Sequence, residues 1–421
     1  MDTYNHKYRK YKNKYLYLKS NQNGGTIAQF DLVEFIKNND IDIIEKELLS
    51  KMTNQTYCDN ILGRGTYGDV YVSQVGSTMD IVTSTKQKIN MHIVVKKANE
   101  EGDIHVKIIN KKLYIYGNLT IAIEAIILSY FNKLSQQKLS PHLPYMIGYS
   151  SCGSKNNTFV DKIITERHGL LKNIEVKLVD YDYMPLLWGS DEKIFKSNLG
   201  TLTDLMKYIL LKRDQDKVVL SNGEKCDIVK LMDYLCISYI HTHNLLYKHN
   251  IIISDMYFNN IFIHWLNENS YMDNQYIGDT KYIYYKYNNK ILKIKTYGII
   301  LKVGDVGTSI IMPRDDVMIL GQAVDPEKNL HLLEQLTAPN YNIVSDFFMN
   351  VKYNLPFSIY KKTIAYKIYS MYPYSELVQH QPEDHKLLAN YLTPNELLDI
   401  YDMYAVSKTD KNKTSLIIDE Y

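Results

Sequence analysis

The chain has few cysteines, few arginines and no long apolar run. Its four cysteines, Cys58, Cys152, Cys226 and Cys236, show no C-x-x-C spacing, so neither a zinc site nor a disulfide framework is indicated. We therefore expect reduced thiols in a cytoplasmic compartment. No run of about 18 or more apolar residues occurs, which predicts that the chain has no membrane span.

Arginine accounts for few of the 49 basic residues and stands only at Arg9, Arg64, Arg167, Arg213 and Arg314. Because arginine is the usual partner of phosphate groups, an arginine cluster that docks a phosphorylated segment is hard to build here. The formal net charge of +2 provides no uniform positive field for nucleic acid, so no nucleic-acid partner is expected. A hydrophobic content of 45% suffices for a large core.

Residues 1–25 form a segment of distinct composition. Its apolar positions recur at steps of three and four with lysines between them, as Tyr4, Tyr8, Tyr11, Tyr15 and Leu18. This spacing predicts a basic amphipathic helix that ends at Asn23-Gly24-Gly25. It is either a solvated or packing helix, or a processing segment. The segment resembles a Tyr/Lys-rich leader ending in Gly-Gly that recurs in proteins of giant DNA viruses. That resemblance implies virion association and a location in the host cytoplasm or the particle.

The sequence pattern of the rest of the chain predicts a strand-rich half followed by a helix-rich half. Strand-like patterns run from 61 to 117 and again from 145 to 199, and a hairpin is expected at 282–297 inside an insertion at 264–297. We expect helices at 28–50, 120–134, 201–211 and 226–247 and over most of the last hundred residues, where Thr393 to Glu396 has a helix-start pattern.

A glycine-rich segment follows the first of these strands. It reads Gly63, Arg64, Gly65, Thr66, Tyr67, Gly68, Asp69, Val70, Tyr71. A dinucleotide-binding loop would open a helix at its third glycine, whereas here Val70 and Val72 continue as a strand. A strand–glycine loop–strand unit can fold over phosphates because glycine allows close backbone approach. An ordinary hairpin is the alternative.

This segment resembles the glycine-rich loop of eukaryotic protein kinases, specifically the Ser/Thr kinases. The resemblance implies ATP binding by Gly63, Arg64, Gly65, Thr66, Tyr67, Gly68 and Val70. Further signatures of that family follow in order. Ile93 to Lys96 is similar to V-A-I-K, so Val94 would line the adenine pocket and Lys96 would bind the phosphates. Lys97, on the opposite face of the strand, is the second choice.

The apolar helix around Glu124 predicts an ion pair. A buried carboxylate needs a partner, and Lys96 is the natural one, unless Glu124 lies on an exposed edge of the helix. The segment from Ile251 to Ile263 resembles the kinase catalytic loop. That implies a catalytic Asp255, which would orient the substrate hydroxyl, and a metal-binding Asn260.

A last signature, Leu301 to Gly307, resembles the strand and D-F-G of the family, with Asp305 as the second metal ligand. Asp and Asn are also ordinary turn formers, so each of these short matches alone is weak. Together they imply ATP and Mg²⁺, or Mn²⁺, as cofactors.

The sequence departs from the family at several positions. Ile253-Ser254 replaces His-Arg before Asp255, Val306 replaces the Phe of D-F-G, and Tyr257 stands where Ser/Thr kinases have Lys. The missing Arg indicates activity that does not depend on a phosphorylated activation loop. Distal markers are faint, namely Ala338-Pro339-Asn340 and Asp346. For the hinge we favour 195–199, with 174–181 as the alternative.

The resemblance therefore predicts an α+β, bilobal, protein-kinase-like fold with an antiparallel sheet in the N-lobe and a mostly helical C-lobe. The expected division is a leader at 1–25, a helical extension at 26–56, the N-lobe at 57–199 and the C-lobe at 200–421. The expected function is transfer of the ATP γ-phosphate to Ser/Thr hydroxyls of a protein substrate that the sequence does not identify. A catalytically weak or inactive pseudokinase scaffold and a small-molecule kinase are the alternatives.

Overall fold

The fold is described by a computed structural model. It covers residues 60–64, 68–72, 78–82, 88–98, 104–117, 120–151, 160–177, 194–253, 257–272, 275–287, 290–314, 317–321, 325–329, 333, 347–371, 402–407, 409 and 414–418. The leader at 1–25, the extension at 26–56 and the helix start at 393–396 lie outside these residues. The described chain is a mixed α/β structure in which several small sheets pack with helices.

In chain order the strands are β1 (Asn60–Arg64), β2 (Gly68–Val72), β3 (Thr78–Val82), β4 (Lys88–Ala98), β5 (Ile104–Ile109), β6 (Lys112–Gly117), β7 (Met146–Ser151), β8 (Val160–Glu166), β9 (Ile174–Lys177), β10 (Ile194–Ser197), β11 (Lys217–Val219), β12 (Lys225–Asp227), β13 (Ile251–Ile252), β14 (Ile261–Trp265), β15 (Tyr271–Met272), β16 (Gln275–Tyr276), β17 (Tyr282–Tyr287), β18 (Lys290–Lys295), β19 (Ile299–Val303), β20 (Ile310–Arg314), β21 (Val317–Leu320), β22 (Ala405–Val406) and β23 (Ser415–Ile418). The described α-helices are α1 (Thr120–Gln136), α2 (Leu202–Lys212), α3 (Ile228–Lys248), α4 (Phe348–Asn354), α5 (Phe357–Tyr360) and α6 (Ile364–Met371).

The largest sheet has six strands in the order β1-β2-β4-β8-β7, with β3 paired to β4. A five-stranded sheet has the order β13-β20-β21-β6-β5, and β17, β18, β22 and β23 form a sheet of four. The strands β14 and β19 pair antiparallel across their full lengths. Nearly all pairs are antiparallel, the exceptions being β21 with β6 and β17 with β23.

Helices α2 and α3 begin where the sequence offers a side-chain cap. Thr201 caps α2 by accepting a hydrogen bond from the Asp204 N–H, and Asp227 caps α3 by accepting one from the Lys230 N–H. Most side chains of α3 are buried, and its apolar residues join those of α1, β14 and β19 in the main core. A second cluster lies over β4 and β8, around Ile93 and Ile164.

The expected helices at 120–134, 201–211 and 226–247 are present as α1, α2 and α3, and the hairpin is present as β17–β18. The expectation of a mostly helical second half is wrong for the described residues, where strands are about as frequent as helices. The reason is long-range pairing. The hairpin gains β23 from near the C-terminus as a parallel neighbour. No helix in the described parts of the chain combines the length and apolar character that crossing a membrane requires.

Candidate active site

The candidate site is built around Lys96 on β4. Side chains alternate along this strand, so Ile93 and Val95 are buried while Val94 and Lys96 share the opposite, half-buried face. Lys97 is exposed to solvent. Strand β2 runs antiparallel beside β4 and places Val70 opposite Lys96. The glycine-rich segment therefore continues into the strand that borders the lysine.

The Lys96 ammonium lies between two carboxylates from distant parts of the chain. Its Nζ donates to Glu124 Oε2 at 2.6 Å and to Asp305 Oδ1 at 2.8 Å. The side chains of Lys96 and Glu124 are 17% and 9% exposed, whereas that of Asp305 is 43% exposed. The ion pair expected between Lys96 and Glu124 is thus present, and the exposed carboxylate is the one that a ligand can reach.

Burial and charge oppose each other at this ion pair. Burial alone would lower the pKa of Lys96, but the negative charges of Glu124 and Asp305 outweigh it and raise the pKa well above its usual range. Burial also raises the pKa of Glu124, and the charge of Lys96 counters that rise. Lys96 is therefore a permanent cation at neutral pH, held in place by a carboxylate that has little access to water.

Asp305 lies in a strained turn between β19 and a 3₁₀ helix at Val306–Thr308. Its φ of 47° and ψ of 53° are in the left-handed region, which few residues other than glycine adopt. The preceding Gly304 is required by packing, because a Cβ there would lie 1.9 Å from Phe262 Cε2.

Asn260 lies beside Asp305 because their strands pair. Asn260 ends a 3₁₀ helix at Phe258–Asn260, immediately before β14, and its carbonyl accepts a hydrogen bond from the Gly304 N–H at 2.9 Å. Carboxylate and amide oxygens are the ligands that Mg²⁺ prefers. The residue types at 260 and 305 therefore fit a magnesium ion.

Several residues expected at the site lie outside the described residues. Asp255, in the expected catalytic loop, is one of them, and so are the loop residues Gly65, Thr66 and Tyr67. Gly63 and Arg64 lie on β1 and Gly68 and Val70 on β2, which pair antiparallel on either side of that loop. Ala338-Pro339-Asn340 and Asp346 also fall outside. The structure thus brings together Lys96, Glu124, Asp305 and the backbone of Asn260.

The segment after Asp305 is held in the five-stranded sheet. Within it, β20 pairs with β21, and β21 pairs with β6 in parallel, so that Ile319 lies opposite Ile115. Lys107 on β5 also forms ion pairs with Asp325 and Glu327. The β5–β6 hairpin therefore supports the chain directly downstream of the candidate site.

Sequence reasoning missed a buried polar cluster next to this site. Lys302 Nζ donates to Glu166 Oε1 at 2.7 Å, and His264 Nδ1 lies 3.9 Å from Glu166 Oε2. Lys302 and His264 interrupt the apolar strands β19 and β14. A charged or polar side chain inside such a strand must find a buried partner, and this signal would have predicted the cluster.

The chain crosses from the six-stranded sheet to the β14–β19 pair directly after Glu166. The Arg167 N–H donates to the His92 carbonyl on β4 at 2.8 Å, and the Gly169 N–H donates to the Ile263 carbonyl on β14 at 2.9 Å. The stretches at 174–181 and 195–199 overlap β9 and β10, which pair with each other. The crossing therefore lies earlier in the chain than either expected hinge.

Comparison with protein-family models gives no match for this chain, and comparison with curated proteins gives none either. The candidate site therefore rests on its geometry and on the sequence patterns that pointed to its residues.

Proposed function

We propose that the protein is a protein kinase that transfers the γ-phosphate of ATP to Ser/Thr hydroxyls of a protein substrate. The observation that carries this proposal is the pair of contacts from Lys96 to Glu124 and to Asp305. The three residues come from separate motifs that resemble V-A-I-K, the paired helix Glu and D-F-G. An accidental meeting of these three positions, 209 residues apart at the widest, is far less expected than a shared site.

Each residue of the site has a role that follows from its charge and exposure. Lys96 is a permanent cation and orients the α- and β-phosphates of ATP. Glu124 is buried and keeps the lysine directed toward the cleft. Asp305, the more exposed carboxylate, binds Mg²⁺ together with Asn260. When bound, magnesium neutralises the charge on the phosphates.

The ATP-binding surface consists of β1, β2 and the cleft face of β4. Val94 is on the same face as Lys96 and contacts the adenine, while the glycine-rich segment from Gly63 to Gly68 covers the phosphates. Asp255 orients the substrate hydroxyl. Such chemistry depends on positioning and electrostatics more than on covalent steps, so these few residues suffice for phosphate transfer.

The proposal includes a bilobal architecture. The six-stranded sheet with α1 forms the N-lobe, and the part built on α2 and α3 forms the C-lobe. The short crossing after Glu166, which bonds to both β4 and β14, is then the hinge.

The proposal of virion association rests on the leader at 1–25. It predicts that these residues are missing from the mature protein. Mass spectrometry of the protein's N-terminus would detect their absence.

A nucleotide-binding scaffold without turnover is the second candidate. Two observations favour it. Ile253-Ser254 stands where the family has His-Arg, and Lys96 occupies Asp305 Oδ1, so a metal ion must compete with the ammonium for that carboxylate. A scaffold binds ATP in the same cleft but transfers no phosphate.

The test is transfer of labelled γ-phosphate from ATP, with Mg²⁺ or Mn²⁺, to generic acceptor proteins and to the chain itself. Asp255→Asn and Lys96→Met are compared with wild type, and Lys97→Met is the matched control because Lys97 is the exposed neighbour. We expect the first two variants to lose at least about 100-fold in transfer rate and the control to keep it.

Transfer by wild type that is unchanged in Asp255→Asn would contradict the assigned roles. No transfer by wild type, together with a rise in thermal stability on adding ATP and Mg²⁺, would establish the scaffold instead. Absence of both would reject the nucleotide site itself.

A further inference from the structure

A second group of chemically active side chains lies at the crossing between the two sheets. Glu166 ends β8, His168 follows it in the crossing, and His264 lies in the middle of β14. One ligand atom from each of the three residues lies within 4.8 Å of the others. The separation of Glu166 Oε2 from His264 Nδ1 is 3.9 Å.

Each of the three side chains has a buried polar atom that lacks a hydrogen-bond partner within the described part of the chain. These atoms are Glu166 Oε2, His168 Nδ1 and His264 Nδ1, while Glu166 and His264 as whole residues are only 1% and 6% exposed. A buried polar atom without a partner is costly, and a cluster of three calls for an unseen ligand such as an ion or a water molecule. The cluster therefore has the character of a binding site.

The other polar atoms of Glu166 and His264 are satisfied. Glu166 Oε1 accepts hydrogen bonds from the Tyr145 N–H at 2.8 Å and from Lys302 Nζ at 2.7 Å. His264 Nε2 is bonded to Ser270 Oγ at 2.9 Å. Such outer contacts orient the ligating atom of a metal-binding histidine or carboxylate. They fix Glu166 Oε2 and His264 Nδ1 in the direction of the shared space.

We propose that Glu166, His168 and His264 bind a divalent transition metal ion, with zinc as the best match, through Oε2 and the two Nδ1 atoms. Zinc takes histidine nitrogen and carboxylate oxygen at about 2.0–2.2 Å, which places tetrahedral ligands about 3.4 Å apart. Glu166 Oε2 and His264 Nδ1, 3.9 Å apart, must approach by about 0.5 Å to reach that spacing, and pairs at the 4.8 Å limit of the cluster by about 1.4 Å. Two histidines and one carboxylate are an established zinc ligand set.

The protonation states of the ligands suit a metal. Burial lowers the pKa of His168 to about 3 and that of His264 to about 4, so both imidazoles are neutral at physiological pH. Burial would raise the pKa of Glu166, but the charge of Lys302 outweighs it and brings the pKa to about 2. Neutral imidazole and ionised carboxylate are the forms that coordinate metal ions.

Lys302 also limits the net charge that the bound metal ion and its ligands can carry. Its ammonium repels a second cation nearby, so the bound ion is expected to carry an anionic fourth ligand such as hydroxide. Glu166 and His264 line a pocket together with His92, Arg167 and Trp265, and this pocket is where such a ligand would lie. Three protein ligands and one from solvent complete a four-coordinate site.

The metal would join two parts of the fold that bear the candidate active site. Glu166 lies on β8, which pairs with β4 so that Ile163 is opposite Lys96. His264 lies on β14, which directly follows Asn260. A metal at the crossing would fix the sheet that carries Lys96 relative to the strands that carry the metal-binding residues. This inference stands independently of kinase activity.

The test uses the full chain, loaded with zinc, dialysed and analysed for metal by mass spectrometry. Zinc affinity is then measured by competition with a chromophoric chelator. The variants are His168→Gln, His264→Gln and Ser270→Ala, with His105→Gln as the control because His105 is exposed on β5. Cobalt(II) is substituted into wild type in parallel, since its visible spectrum reports coordination number and ligand type.

We expect about one zinc per chain, affinity reduced more than about 100-fold in the two ligand variants, and about 10–100-fold in Ser270→Ala, as for other outer-shell contacts. His105→Gln should bind as wild type does. Wild-type cobalt protein should show four-coordinate bands without thiolate charge transfer, and this measurement decides the matter if a variant fails to fold. Absence of retained metal, affinity in His264→Gln equal to the control, or a thiolate band would each overturn the proposal.

Discussion

Replacing Lys96 with methionine tests the ion-pair geometry through stability, without reference to any activity. The change removes the ammonium that lies 2.6 Å from Glu124 Oε2 and 2.8 Å from Asp305 Oδ1. Removing one partner of a buried ion pair costs about 3–5 kcal/mol. Asp305 keeps much of its hydration because its side chain is 43% exposed, so the cost falls mainly on Glu124. We expect a loss of about 2–3 kcal/mol in the free energy of unfolding.

The loss of stability in Lys96→Met should depend on pH, because the protonation of Glu124 depends on pH. Burial raises the pKa of this carboxyl above its usual 4.5, and loss of Lys96 raises it further. Because Glu124 has a higher pKa in the folded state than in the unfolded state, the folded state binds more protons. Stability therefore falls as pH rises from about 4.5 through the folded pKa of Glu124. The variant should therefore be closest to wild type near pH 5 and furthest from it near pH 8, because acid neutralises the unpaired carboxylate.

The assay is urea unfolding at several pH values, followed by tryptophan fluorescence, to which the buried Trp265 contributes. Lys97→Met is the control, because an exposed side chain should change stability by no more than about 0.5 kcal/mol. If the two variants were equally stable at about pH 8, Lys96 would not be the partner of Glu124. If the loss were the same at every pH, Glu124 would not be its source.

Two further predictions concern the packing beside Asp305 and a buried carboxylate on α3. Gly304→Ala should cost about 1–3 kcal/mol, because the new methyl group would overlap the Phe262 ring; Phe262→Leu in the same chain should restore part of that loss, and a lack of recovery would locate the clash elsewhere. Asp233 accepts hydrogen bonds from the Ile364 N–H and from the Tyr404 hydroxyl, and burial raises its pKa to about 6. The contribution of Asp233 to stability should fall as pH rises through about 6. Asp233→Asn should therefore flatten the pH dependence of the unfolding free energy between about pH 4 and pH 7. If the variant keeps the wild-type pH dependence, another group causes it.

Local sequence patterns predicted several elements well. The apolar run from Ile121 to Leu128 indicated α1, and the aromatic and β-branched residues on either side of Asn288-Asn289 indicated the hairpin β17–β18. These elements are set by periodicity and turn chemistry within about 20 residues, which a single sequence displays. The spacing of Asp255 and Asn260 was likewise visible, although what their side chains do remains a prediction.

Pairings between distant segments were not predictable in the same way. Nothing local indicates that β21 takes β6 as its neighbour, or that β23 lies parallel to β17. Strand partners depend on register and on which apolar faces remain uncovered once the rest of the chain is in place. The local sequence pattern of the C-terminal region therefore predicted mainly helix, whereas the described part of this region also supplies strands to a sheet.

The sequence by itself singled out Lys96, its neighbour Lys97 and Glu124, because a carboxylate in an apolar helix needs a cationic partner. The tertiary structure decided which of them meet. It turned Lys96 rather than Lys97 toward Glu124, because strand alternation allows only one of two neighbours to face that carboxylate. It also brought Glu166, His168 and His264 together from two sheets. Contacts of that kind depend on distances through space, which residue order does not specify.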